Sequence, residues 1–184
     1  MSAAVRVSLL LLFATGCATP VTPHQYFEEE TAATITVVAR PWIFAVDDPG
    51  SAFTRRGFLN LYALDVNRAG THQRYFAVMQ SSFDVVLPDE KSSTPMLEVQ
   101  ASDRKMVFQS TAQNPRQLGI AQPLEQPIAL ESRWWYFPVT KEDVAAVAQL
   151  LSPRIMLVAN DARFAYIEFR NGSKELAELS TTLQ

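Results

Sequence analysis

Apolar and polar residues alternate along several short stretches of this chain, and a period of two is typical of β-strands. These stretches are rich in β-branched and aromatic residues, which favour strands. They comprise residues 35–46, 58–67, 71–83, 96–101, 105–111, 128–137, 154–159 and 164–169. Pro41 interrupts the first stretch and predicts a break there, because proline has no N–H to donate to a neighbouring strand.

The pattern changes to a helical period twice near the C-terminus. Thr140 is a suitable N-cap, acidic residues follow it, and Pro153 ends the first helical segment. The apolar face of that segment consists of Val144, Val147, Ala148 and Leu151. A last short helix begins near Ser173 and has Leu176, Leu179 and Leu183 on its inner face.

Short strands joined by turns, without long helices between them, exclude a doubly wound parallel sheet. The chain is therefore predicted to be mainly β. We expect an antiparallel β-sandwich or a partly open barrel with two short helices near the C-terminus. One β-rich domain should span residues 32–184.

Two neighbouring tryptophans lie in the stretch 128–137. Alternation places Trp134 with the apolar residues of the stretch, so we expect it in the core. Trp135 shares its face with Glu131 and Arg133. An outward tryptophan beside arginine is typical of protein interfaces, which makes Trp135 and Arg133 the candidate partner contact. The alternative is that the helix after Thr140 folds back and covers Trp135.

The N-terminus carries a separate signal. Arg6 precedes an apolar run at residues 7–14, and the run closes with Ala14-Thr15-Gly16-Cys17. A positive start, a short apolar run and small residues before a cleavage site are typical of a secretory signal. The run is too short to span a bilayer as a permanent helix. The closing residues resemble the lipobox of bacterial lipoproteins, and an ordinary secretory signal with a cysteine at the cut is the alternative.

This resemblance implies that residues 1–16 are a signal peptide and that Cys17 is the lipidation site. One acyl chain holds a protein reversibly, whereas several hold it almost permanently, so the protein would contact the membrane through the lipid on Cys17. Ala18 follows where an aspartate would favour the inner membrane, so the outer membrane is expected. Residues 17–31 contain prolines and glutamates and are predicted to be a tether.

Charge and composition exclude several classes of protein. The net charge is −3, and loss of Arg6 with the signal would make it more negative. A nucleic-acid surface or a polybasic membrane patch needs a basic excess, so neither partner is expected. Hydrophobic residues make up 48% of the chain, which excludes a disordered polymer.

Residues that usually perform catalysis or hold metals are scarce. His72 is the one histidine of the predicted domain, and a zinc site needs three or four ligands, so no metal or other cofactor is predicted. A two- or four-residue loop at 67–70 would place Asp65 directly opposite His72. Such a pair is either two-thirds of a hydrolytic triad or a cross-strand charge pair.

These observations leave three functional hypotheses. The leading one is a non-catalytic outer-membrane lipoprotein, with its β-rich domain facing the periplasm, that binds an envelope protein partner or supports an envelope assembly. The second is a carrier of a lipid or another small apolar ligand, which needs an apolar lumen. The third is a cell-wall hydrolase, which needs a cleft where His72 or two carboxylates converge with a nucleophile or water.

Overall fold

The longest elements are two strands of twelve residues that form one hairpin, and the rest of the sheet is built outward from them. The computed structural model describes residues 22–47, 57–83, 87, 94–102, 104–127, 129, 131–160 and 162–183. Residues 1–16, which are predicted to be a signal peptide, and Cys17 lie outside the described residues.

The described residues form ten strands and three helices. The strands are β1 (His24–Glu28), β2 (Ala33–Val37), β3 (Trp42–Val46), β4 (Gly57–Arg68), β5 (Thr71–Ser82), β6 (Met96–Ala101), β7 (Arg104–Gln109), β8 (Glu131–Val139), β9 (Arg154–Ala159) and β10 (Ala162–Arg170). The helices are α1 (Pro115–Leu118), α2 (Lys141–Ala148) and α3 (Ser173–Thr182).

All ten strands belong to one antiparallel sheet that is not closed into a barrel. Strand β4 is central: it pairs with β2 and β3 along one edge and with β5 along the other. From β3 the sheet continues through β10, β9 and β6 to β7, and from β5 it continues to β8. The mainly β, antiparallel fold with two helices near the C-terminus is confirmed. No helix among the described residues is long and apolar enough to cross a membrane.

The break predicted at Pro41 is present. Residues 38–41 separate β2 from β3, and both strands pair with β4. The hairpin of β4 and β5 turns through Ala69 and Gly70, which both have positive φ, as a tight two-residue turn requires. The side chain of Asn67 accepts a hydrogen bond from the Gly70 N–H at 2.8 Å and fixes this turn.

The face of the sheet that carries Trp42 and Phe44 is called the inner face below. Register places Phe76 and Phe137 on the same face, and all four side chains are fully buried. The rings of Phe76 on β5 and Phe108 on β7 meet edge to face with centroids 5.2 Å apart. Because β5 and β7 lie far apart in strand order, this contact shows that the sheet curls around its inner face.

The opposite, outer face of β4 is also buried, because the connection between β7 and β8 covers it. Arg68 donates to the backbone carbonyl of Gln117 at 2.8 Å. A Cβ added to Gly119 would lie 2.8 Å from Val66 Cγ1, so the backbone of the connection approaches β4 closely there. Helix α1, which the sequence pattern did not predict, lies within this connection, and the side chain of Asn114 caps its start.

Helices α2 and α3 pack on each other, and α3 packs on β4. The side chains of Thr140 and Asp143 form a reciprocal capping box, which confirms the predicted start of α2. Lys141 Nζ donates to the carbonyl of Leu183 and ties α2 to the end of α3.

The segment predicted as a tether is shorter than expected. Residues 24–28 form β1, which pairs with β2 from His24 opposite Val37 to Glu28 opposite Ala33. The main-chain hydrogen bonds of this pairing hold the segment on the sheet, although Phe27 remains 62% exposed. The folded body therefore begins at least as early as His24.

Candidate functional site

The expectation that Trp135 is exposed is wrong. Its side chain is 5% exposed and lies on the inner face, opposite Val78 of β5. Arg133 is half-buried and forms an ion pair with Glu131 at 3.1 Å. Glu131 and Arg133 lie near the start of β8. Further along the strand, the residues on the same face, Trp135 and Phe137, are buried in the core. Burial of Trp135 removes the observation on which the predicted contact through Trp135 and Arg133 was based.

Trp134 lies on the outer face instead and is half-buried. Its ring packs against Tyr62 with centroids 5.7 Å apart and stacks with Tyr136 at 6.3 Å. The predicted assignment of the two tryptophans to opposite faces is therefore right, but the inner and outer faces are exchanged.

Asp65 and His72 do meet, although not as direct cross-strand partners. His72 Nδ1 lies 2.7 Å from one carboxylate oxygen of Asp65, and Arg74 Nε lies 3.2 Å from the other. The two-residue turn places Asn67 opposite His72 and Arg74 opposite Asp65, so His72 reaches Asp65 diagonally. The prediction that Asp65 lies directly opposite His72 is therefore wrong, but the predicted contact between the two side chains is present.

Asp65, His72 and Arg74 are called the Asp65 cluster. His72 and Arg74 line a groove of about 730 Å³, and Thr140 lines the same groove. A hydrolytic triad would need a hydroxyl positioned by His72. The Thr140 hydroxyl instead donates to Asp143 at 2.9 Å and accepts from the Asp143 N–H. The buried Asp65 carboxylate is shared between His72 and Arg74, which is an arrangement typical of a structural polar cluster.

A second polar cluster joins β4 to the covering connection. Glu125 accepts hydrogen bonds from the Tyr62 hydroxyl and from Asn60 Nδ2, the latter at 3.0 Å. Burial first, and then the hydrogen bond to Glu125, raise the pKa of the Tyr62 phenol well above its ordinary value. Asn60 and Tyr62 share the outer face by alternation, but the sequence gives no signal that Glu125 would reach them.

An apolar patch lies uncovered on the outer face of the sheet. Phe169 is 68% exposed and Ile167 is 40% exposed on β10, and the ring of Phe58 meets that of Phe169 at 5.6 Å. The register of β10 against β3 shifts between Glu168 and Arg170, so Phe169 occupies a β-bulge. Phe58, Ile167 and Phe169 are called the outer patch below.

Arginines border the outer patch. Arg154 lies directly opposite Ile167 on β9, and Arg170 follows Phe169 along β10. Both are exposed, although Arg154 lies 3.5 Å from Asp47. The outer patch therefore combines an apolar centre with a basic border.

A cleft lies where the curled sheet fails to close, between β8 and the segment after β7. The Thr111 N–H donates to the carbonyl of Tyr136 at 2.8 Å and bridges the two edges. The cleft encloses about 670 Å³. It is called the edge cleft below, and its lining residues are Thr94, Thr111, Ala112, Gln113, Asn114, Pro115, Ile120, Ala121, Gln122, Pro123, Trp134, Trp135, Tyr136 and Asn160.

Metal binding has no support in the part of the chain that the structure describes, where no group of three or more histidine, cysteine, aspartate or glutamate side chains is placed to hold an ion. In comparisons with protein families, curated proteins and solved structures, nothing matches this chain.

Proposed function

We propose that this chain is an outer-membrane lipoprotein, anchored through Cys17, whose β domain binds an envelope protein partner through the outer patch. The observation that carries the proposal is the exposure of Phe169, a large aromatic side chain that a β-bulge holds in solvent beside Ile167. Exposed apolar patches with a polar border are typical of interaction sites.

The composition of the outer patch favours a protein partner. Aromatic residues and arginine are enriched at protein interfaces, whereas lysine and acidic residues are depleted. Phenylalanine buries a large area and loses little conformational freedom on binding. Because Arg154 and Arg170 border the patch, the complementary surface should have an apolar centre and acidic residues around it.

The alternative of an apolar-ligand carrier has less support. A carrier needs an empty apolar lumen, but the inner face of the sheet is filled by its own side chains. Trp42, Phe44, Phe76, Phe137 and Tyr166 are among the largest fully buried residues.

The alternative of a hydrolase rests on Asp65 and His72. Arg74 shares the Asp65 carboxylate, and the nearby hydroxyl of Thr140 caps α2. These contacts favour a structural role for the cluster and support the non-catalytic proposal.

Photocrosslinking in intact cells tests the proposal. A photoreactive phenylalanine analogue replaces Phe169 in the full chain, and adducts are resolved by mass. We expect one adduct with an envelope protein of defined mass. Its yield should fall several-fold in Ile167→Ser and in Arg170→Glu, because these changes remove apolar area or reverse the border charge.

The matched control places the same analogue at Phe27, which is 62% exposed on β1 and is separated from β10 by three strands of the sheet. The same adduct from both positions, or no protein adduct from position 169, would contradict the proposal. An adduct of twice the mass of the chain would also contradict it, because the partner would then be a second copy.

A further inference from the structure

We propose that the edge cleft binds an uncharged oligosaccharide. This site lies beside β8, where the curled sheet does not close. The described residues that line it include none of the outer patch. The proposal follows from three features of the cleft: its aromatic wall, a buried donor without a partner, and described lining residues that carry no charge.

Three consecutive residues of β8 form the aromatic wall. Neighbours on a strand point to opposite faces, so Trp134 and Tyr136 stack on the outer face while Trp135 points inward. At the gap, all three line the cleft. Flat aromatic surfaces suit the C–H faces of a sugar ring, and an indole adds an N–H donor to its apolar surface.

The indole of Trp135 supplies the second feature. The side chain is only 5% exposed, and its Nε1 atom has no hydrogen-bond partner among the described residues. A buried donor without an acceptor is unfavourable, since the group has lost its contact with water. A ligand oxygen in the cleft would accept this hydrogen bond and remove the penalty.

The remaining lining selects the class of ligand. Among the described residues that line the cleft, none is charged, and the polar side chains are amides and hydroxyls. They belong to Thr94, Thr111, Gln113, Asn114, Gln122 and Asn160. An amide both donates and accepts, as does a sugar hydroxyl, so the two groups can satisfy each other.

Other ligand classes fit this lining less well. A nucleotide or an acidic peptide would enter without a balancing charge. A lipid tail offers no hydrogen-bonding group to the amides that line the cleft. The volume of about 670 Å³ lies within the range of clefts that hold drug-sized ligands. A segment of a neutral or N-acetylated oligosaccharide satisfies the aromatic surfaces and the amides together.

Nuclear magnetic resonance tests the proposal through the indole N–H signals. The chain has three tryptophans, and the Trp42 indole already donates to Glu168 at 3.0 Å, so its signal is an internal reference. The full chain, in a detergent without a sugar headgroup, is titrated with chitotriose, cellotriose and maltotriose to about 10 mM, a range that detects weak binding.

We expect at least one of these sugars to shift the signals of Trp134 and Trp135 and to leave that of Trp42 unchanged. Trp135→Phe keeps an aromatic ring and removes the N–H donor, so the dissociation constant measured from the Trp134 signal should rise about tenfold. Trp134→Ala should weaken binding further, and its half-buried position makes folding of this variant more secure. Phe169→Ser, in the outer patch, should bind the sugar as the unaltered chain does.

Several results would overturn the proposal. One is that no sugar shifts the signals of Trp134 and Trp135 over this range. A second is that an uncharged peptide or an acidic oligosaccharide shifts these signals while the neutral sugars do not. A third is an equal shift of all three indole signals, which would indicate non-specific contact. None of these results bears on the crosslink from position 169, so the two proposals fail separately.

Discussion

Tyr166 shows how one buried phenol makes stability depend on pH. Its hydroxyl accepts a hydrogen bond from Gln80 Nε2 at 3.0 Å, and burial raises the pKa of Tyr166 to about 12. An unfolded tyrosine has its ordinary pKa of 10.0. Between these values the folded state keeps the proton and the unfolded state loses it. The free energy of unfolding should therefore fall by about 1.4 kcal/mol per pH unit above pH 10 from this group.

Urea unfolding followed between pH 8 and pH 11.5 measures this effect, with Tyr166→Phe as the control. The variant lacks the ionisable group, so its stability should fall less steeply above pH 10 than that of the unaltered chain. Equal slopes for the two proteins would show that Tyr166 ionises as easily in the folded state as in the unfolded one.

The two tryptophans show what a sequence can establish for single residues. Period-two alternation correctly assigns Trp134 and Trp135 to opposite faces. It does not identify the inner face, because both faces of β4 and β5 are buried along most of their length. Glu131 and Arg133 suggested a solvated face, but they pair with each other near the start of the strand. The alternation was therefore read correctly, but the two charged residues led to the wrong choice of which face is exposed to solvent.

At the scale of elements, the junction between β10 and α3 depends on a close approach that only glycine permits. A Cβ on Gly172 would lie 2.7 Å from the Cα of Trp42, which is a backbone atom and cannot move as a side-chain tip would. Gly172→Ala should therefore separate the start of α3 from β3 and lower the free energy of unfolding by about 1–3 kcal/mol, the usual cost of overpacking. Thermal or urea unfolding measures this change.

Gly70→Ala is the matched control, because the site has φ +88° and no neighbouring atom within 4 Å of the added Cβ. Its cost should be the conformational one alone, about 1 kcal/mol. A smaller loss for Gly172→Ala than for Gly70→Ala would show that the contact with Trp42 does not restrict residue 172.

The elements themselves were predictable wherever their signals are local. The break at Pro41, the turn at 69–70 and the capping box of α2 each depend on residues close together in sequence. Strand β1 and helix α1 were missed for a different reason. Main-chain pairing with β2 holds β1, while contacts with β4 hold the connection that contains α1, and neither partner can be identified from the segment's own residues.

At the scale of the whole molecule, the strand pattern gave the class of fold but not the course of the sheet. Pairing of β6 with β9, and of β10 with β3, joins segments far apart in the chain. These pairings create the gap at β8 and bring residues 111–115 and 120–123 beside Trp135. The outer patch likewise depends on β10 meeting β3, so neither candidate surface could be assembled from local signals.

The proposed lipid anchor is a property of the whole molecule that a single atom should control. Replacing Cys17 by Ser removes the sulfur that would carry the acyl chains, each of whose buried methylenes contributes about 0.8 kcal/mol to membrane binding. We expect the Cys17→Ser protein to leave the membrane fraction, with the indole signals of its folded domain unchanged. Fractionation of cells followed by immunoblotting measures this, and Ala18→Ser is the control that retains the sulfur. Six residues separate Cys17 from His24, so the seven Cα–Cα steps between them would keep His24 within about 25 Å of an acylated Cys17. Persistence of Cys17→Ser in washed membranes would show that a protein surface, with the outer patch as the first candidate, holds the domain there without lipid.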